Sequence, residues 1–600
     1  MSENTMMTTL LTPSSVAGGI RPDDDLRHES VQVPVMKSRE QTGLPLDRRA
    51  TLALGLAAAS ATVMSGTSSA HAQTPNFLET ALLTVGDGET FDPAKLLAVA
   101  RQLAMRPYVA PSSELPEGFD NLTYDQYVGI RAKPGAYLWS GEGLGFSIEP
   151  LHRGFVFSNP VSLYAVNDGA ISRVRYARDM FDFGTVTPPG VPAEPNKDDA
   201  QPTVPNNDAQ NGNTVEGQNN AARAKTEQAE IPIDFSGFRI YSDAPGEPAS
   251  ELAIFQGATF FRAKARGQNY GVHAHTLMLR PADAKGEELP LFRAFWIERP
   301  QAGSGALVIH ALLDSESVAG VVRFTLRPGD TAITDVEMTL IPRTRLDHIG
   351  IGGATANFLF GPIRPSAAPD TRVAVHDVGG LQIHNGQSEW LWRPFDNPQT
   401  LQISAFLDKN PKGFGLIQRG RDFAAYEDDV QRFELRPSLW VEPLEEWGEG
   451  AVQLIEVPTP TEGTPNIICY WRPAQPITVG TETRYAMRLY WCWSVPERPN
   501  LALVRSTRIG VLPNSRMRRF AIAFTGDDLG RANIADTLRV GLTASRGTIS
   551  NARLWPYPDR KMVRVVFDFD PGNDTSSELR LALIEAGKPI SESWLFRWTP

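Results

Sequence analysis

Apolar and polar residues alternate in short runs through most of this chain, and glycine or proline closes nearly every run. Residues 144–149, 153–157, 172–176, 307–313 and 321–326 show the pattern. A period of two over five to seven residues marks a strand with one buried face. Many such runs, broken by turn residues, predict an all-β sandwich rather than a helical or α/β fold. One segment departs from the rule. From Pro93 to Met105 the apolar residues Leu96, Leu97, Val99, Ala100 and Leu103 follow a helical period, predicting a helix that covers an edge or end of a sheet.

The pattern also divides the chain. Residues 187–230 hold proline, asparagine, glutamine and aspartate but no aromatic residue. They cannot bury enough apolar surface to order themselves, so a disordered insertion is expected between two ordinary strands. A linker-like stretch, VPERPNLAL, follows the aromatic run 487–493. Beyond it, runs at 519–524, 538–543, 563–569, 579–585 and 593–598 predict a small immunoglobulin-like sandwich over 499–600. The larger sandwich occupies 73–498.

Before residue 73 the chain reads differently. Arg48 and Arg49 precede a weakly apolar Ala/Leu/Gly run, which closes on Ser69-Ala70-His71-Ala72. This order predicts a twin-arginine export signal over 1–72 and delivery of the rest, from about Gln73, to the periplasm.

Composition narrows the function. The net charge is −11 over 600 residues and no basic block stands out, so no nucleic-acid partner is expected. After residue 72 no apolar run is long enough to span a bilayer. Two cysteines, Cys469 and Cys492, cannot make a disulfide framework, and two buried thiols are expected rather than a bridge. No GxSxG, Walker loop or dinucleotide fingerprint stands in a fitting context, so no cofactor is expected. His273 and His275 share a strand face, a spacing seen in some metal sites, but no third ligand accompanies them and no metal is expected.

The stretch 358–458 concentrates Trp390, Trp392, Tyr426, Trp440 and Trp447 among acids and arginines. Alternation in Glu389-Trp390-Leu391-Trp392-Arg393 puts the two tryptophans on one strand face. Flat rings beside charged groups suit a sugar, whose C–H faces stack on aromatics while its hydroxyls need polar partners. Trp390, Trp392, Arg393, Tyr426, Trp440, Trp447 and Glu389 are therefore the candidate substrate-binding residues. Glycosidic cleavage also needs a protonated acid and a second carboxylate, about 6.5–9.5 Å apart in inverting enzymes. Asp377 is the leading acid. It sits at a strand end before Gly379-Gly380, where an aspartate that merely caps a turn is the bland alternative and the glycines would admit a ligand.

The motifs HDVGGL, SEWLWRPFDNP, NPKGFGLIQRGRDF, RPSLWVEP and WGEGAVQLIEVPT, with FWIERP, ALLDS and YDQYVGIR upstream, resemble the periplasmic glucan biosynthesis proteins G and D. The resemblance runs from about Phe91 to the C-terminus. It implies a galactose-mutarotase-type β-sandwich joined to an immunoglobulin-like domain, and action on osmoregulated periplasmic glucan, a β-1,2-linked glucan. It also implies inverting β-1,2-glucanase chemistry with Asp377 as general acid. The base is implied to lie upstream and to act through waters and hydroxyls, and no local motif fixes it; Glu287, Glu288, Asp314 and Glu389 are the candidates here, with Glu287 and Asp314 carried forward. Hydrolysis, transglycosylation and non-catalytic glucan binding all stay open, as does a homodimer. Departures from relatives fall at Ala374, Val378, Gly379 and the run YGVHAHTL at 270–277, where subsite contacts and the proton route are expected to differ.

Overall fold

The computed structural model describes residues 77–189, 233–243, 249–366, 369–497 and 499–600. The export-signal expectation lies outside these residues, as does all of the expected insertion except 187–189.

The fold is all-β, as the alternation predicts. One sheet of nine strands runs, in spatial order, Gln402–Lys409, Glu449–Glu456, Ile467–Pro473, Ile349–Ala356, His273–Leu279, Phe260–Ala263, Ser250–Gln256, Phe235–Ser242 and Phe146–His152. A second sheet includes Ser162–Asn167, Leu291–Glu298, Leu307–Asp314, Val318–Arg327, Thr331–Pro342, Thr483–Cys492, Ser438–Pro443, Gly413–Ile417, Gly380–His384 and Trp390–Pro394. Their facing sides share one apolar core. Phe238, Phe255 and Phe261 from the nine-stranded sheet meet Phe292, Phe295 and Phe324 from the other. Cys469 and Cys492 are both buried and no disulfide joins them.

The helix forms where the period predicts, at Pro93–Ala104. Asp92 caps it by accepting from the Ala94 N–H at 2.8 Å, and proline fills its first turn, where a missing N–H costs nothing. It covers a sheet face rather than an edge. Leu96, Val99, Ala100 and Leu103 pack on Trp296, Leu312, Ala319 and Ile341, on the outer side of the second sheet. The run 153–157 makes a tight turn instead of a strand. Phe155 takes φ 56°, Gly154 and Phe157 form an isolated bridge, and the buried Arg153 guanidinium gathers the carbonyls of Ser112, Glu114, Ser158 and Ile233.

In the last hundred residues the predicted strands appear, together with two the alternation did not mark, Leu503–Val511 and Thr548–Tyr557. Leu503–Val511, Arg518–Thr525, Met562–Asp570 and Thr548–Tyr557 make a four-stranded sheet. Leu538–Ala544, Ser577–Glu585 and Ser593–Trp598 extend the second sheet instead. Ser593–Trp598 pairs in parallel with Trp390–Pro394, setting Leu391 opposite Ser593 and Trp392 opposite Trp594.

Candidate functional site

The outer face of the nine-stranded sheet carries a row of polar side chains near one end of its strands. Because alternate residues point to opposite faces, Phe238, Phe255 and Phe261 enter the core while their neighbours Arg239, Ile254 and Arg262 face outward. At one end of the row the Arg239 guanidinium holds Glu149 at 2.7 Å and Glu251 at 2.6 Å, and the Tyr241 hydroxyl donates to Glu149 at 2.9 Å. Tyr137 stacks on Tyr241 with ring centroids 5.7 Å apart.

Further along, Arg262 and Lys264 both lie 5.2 Å from the Tyr270 ring centroid. Among the described residues Arg262 has no carboxylate in salt-bridge range, and burial lowers its pKa. The Tyr270 hydroxyl is buried without a hydrogen bond, and burial, then the charge of Glu251, holds the phenol protonated well above its usual range. His275 and His273 follow, sharing the Thr355 hydroxyl at 3.0 and 3.5 Å. Burial keeps both imidazoles neutral, that of His275 at about 4.

Asp377 closes the row. The two-residue strand just before it, Val375–His376, pairs with Phe358–Phe360, and the Asp377 N–H donates to the Asn357 carbonyl at 2.9 Å. In return the Asn357 N–H donates to Asp377 Oδ2 at 3.1 Å. Oδ1 stands 3.7 Å from Arg436 Nε, too far for a hydrogen bond, and that N–H has no other partner. Burial raises the Asp377 pKa against the opposing pull of Arg436, the Asn357 N–H and Arg262. Its carboxylate makes no bond to the glycines that follow, since Gly379 donates to Ile417 instead. Nor does Gly380 serve a ligand: a Cβ there would lie 2.5 Å from the Trp392 ring, so the residue is small to seat an indole. Behind Asp377, His376 stacks on Phe358 at 4.9 Å and meets the edge of Tyr426 at 5.1 Å.

The other sequence candidates lie elsewhere. Asp314 is on the outer face of the second sheet, under the helix, clamped by Arg293 at 3.2 Å and Arg343 at 2.8 Å. Glu288 bonds the N–H and hydroxyl of Ser317. It bridges Leu279, which pairs with Ile349, whereas Asn357 lies eight residues further along that chain; at roughly 3.3 Å per residue this puts Glu288 and its neighbour Glu287 about 26 Å from Asp377. Glu389 is tied to Arg580 and Ser593 of the C-terminal region.

The tryptophans correct the sugar-platform expectation. Trp390, Trp392, Trp440 and Trp447 are each 6% exposed or less. Trp390 lies between His384 and Trp440, and the Arg419 guanidinium lies 3.5 Å over Trp392. These three pack with Val504, Phe520 and Trp594, so they form the seam to the C-terminal region, while Trp447 packs on Trp471 and Tyr485 inside the large core. Arg393 is buried against Glu456 at 3.1 Å. Of the seven predicted binding residues only Tyr426 adjoins Asp377, and it is 1% exposed. Glu149, Arg239, Glu251 and Arg262 were not singled out in the sequence, whereas Tyr270 opens the run YGVHAHTL and Arg436 opens the motif RPSLWVEP.

An all-β protein with a polar row on the outer face of its nine-stranded sheet, ending at a carboxyl held toward its neutral form, is the class these features define. The chain belongs to the periplasmic glucan biosynthesis protein family MdoG, whose model matches residues 91–200 and 212–598. It is 42% identical over 510 residues to "Glucans biosynthesis protein G" of Rhodopseudomonas palustris (strain BisA53), covering 85% of this chain and 93% of that one. It is 38% identical over 516 residues to the protein so named from Vibrio cholerae serotype O1 (strain ATCC 39541 / Classical Ogawa 395 / O395), covering 85% and 87%. A galactose mutarotase related enzyme from Lactobacillus acidophilus is 10% identical with a TM-score of 0.20, covering 44% of this chain and 97% of that one, a likeness too slight to carry an argument. Membership supports a role in glucan biosynthesis, and the family's description implies the periplasm. Among the described residues no helix is long and apolar enough to cross a membrane.

Proposed function

We propose that the protein is an inverting hydrolase or transglycosylase of the β-1,2-glucan backbone, exported by the twin-arginine route, with Asp377 as its general acid. The observation that carries this is the state of Asp377. Its carboxyl is held toward the protonated form by burial, beside an arginine N–H that it does not bond. A neutral carboxyl can deliver a proton to a departing sugar oxygen. Arg436 Nε and the Tyr270 hydroxyl are donors without a hydrogen-bond partner among the described residues, beside the Arg262 guanidinium, and such donors suit a polyhydroxyl chain. The attacking water must give up a proton, which Glu251 can accept by way of the Tyr270 hydroxyl. Tyr270, with Glu251 near it, is the route we assign.

Asp377→Asn is isosteric and keeps the acceptor that Asn357 requires, but an amide cannot supply the proton. General acid catalysis is worth about 10²–10⁴-fold. The variant should bind linear β-1,2-glucan as the parent does and cleave or transfer it at least about a hundredfold more slowly. Retained activity would move the acid to another carboxyl. A second reading, a glucan-binding protein of the biosynthetic apparatus without catalysis, draws on the distance of Glu287 and Asp314 from Asp377. It predicts tight binding of a chain that stays uncut by the parent protein.

A further inference from the structure

Trp555 is 49% exposed, whereas every other tryptophan is buried except the partly covered Trp493. It lies on the edge strand Thr548–Tyr557 of the C-terminal four-stranded sheet, far along the chain from the Asp377 row. Val563, Val565, Phe567 and Phe569 of the neighbouring strand enter the core with Leu554, which leaves Arg553, Trp555, Tyr557, Met562, Arg564 and Asp568 on the outer face. Trp555 stands opposite Arg564, whose guanidinium carbon is 5.8 Å from the Tyr557 ring centroid. On the same face Arg519 grips Asp568 through two bonds of 2.7 and 3.0 Å, and Asn551 donates to Asp568 at 2.9 Å. The face is thus two rings, two residues apart on one strand, bordered by guanidinium and amide donors.

We propose that this sheet face is a second glucan-binding surface, on which a stretch of neutral sugar chain lies across Trp555 and Tyr557 with its hydroxyls on the bordering arginines. The proposal rests on the family's glucan chemistry and not on catalysis at Asp377. Half an indole left in water contributes little to the fold and suits a ligand with apolar C–H faces. Two rings are too small an apolar area for a stable protein interface, which needs about 1,000 Å². A phosphate chain is a poor match too, because Asp568 neutralises Arg519 on the same face.

The test is calorimetric titration of the full chain with long linear β-1,2-glucan, using Asp377→Asn protein so that the ligand is not consumed. Adding Trp555→Ala should weaken binding about tenfold, and adding Trp555→Phe should recover most of the loss, because a flat ring is what the surface supplies. Equal affinity in the alanine variant, or a phenylalanine variant as weak as alanine, overturns the proposal. So does protection of Trp555 from iodide quenching by anionic vesicles and not by glucan. A parent protein that binds glucan but never cuts it defeats the catalytic reading and leaves this experiment intact.

Discussion

Glu287 shows how far a residue's environment can depart from its look in the sequence. In GEELP it stands as a candidate base on an ordinary charged run, yet burial beside Tyr470 raises its pKa to about 7. The folded state therefore holds a proton that the unfolded chain releases near its ordinary 4.5. Stability from this group is fully present below about pH 4.5 and is lost as pH rises through about 7, a cost of up to about 3 kcal/mol. Glu287→Gln should remove that slope, so urea midpoints at pH 5 and pH 8 should lie closer together in the variant than in the parent. Equal slopes would mean a solvated carboxyl. Asp377, the acid we propose, could be picked out because a motif surrounds it. Glu149, Arg239, Glu251 and Arg262 come from separate strands, and each alone looks like a solvent-facing residue.

Among the elements, alternation found Leu307–Asp314 although nearly all of it is buried, and missed Leu503–Val511 and Thr548–Tyr557 although both have exposed positions. Trp390–Pro394 is buried at every position, so Trp-x-Trp there records a seam between two layers and not an open platform. The aromatic surplus was visible, but its partner across the seam, some two hundred residues later, was not. One carboxylate fastens that seam. Glu592 is fully buried and receives Arg419 at 2.6 and 2.9 Å, Gln382 at 3.2 Å and the Val504 N–H at 2.5 Å. Glu592→Ala leaves the guanidinium without its counter-charge and should cost about 3–5 kcal/mol. Equilibrium urea unfolding followed by tryptophan emission checks this, since Trp390, Trp392 and Trp440 line the same seam. A loss below about 1 kcal/mol, the range of exposed pairs, would show that the seam holds without it.

For the whole molecule, twin-arginine export would couple address to architecture. If the twin-arginine machinery reads Arg48 and Arg49, replacing both by lysine should leave the precursor in the cytoplasm, because the paired guanidinium groups are what is read. Cell fractionation followed by immunoblotting decides it, and normal periplasmic delivery of the double variant would refute the assignment. That route carries proteins already folded, which gives the order of synthesis a part to play. Leu391 pairs with Ser593, 202 residues later in the chain. A ribosome that has finished Pro394 leaves a tryptophan-bearing strand with one side open until Ser593–Trp598 is made. Closing so long a loop is slow, and an open strand invites the wrong neighbour in the meantime. Ser593–Trp598 covers that open side, so on the twin-arginine route a chain stopped short of it should not become cargo.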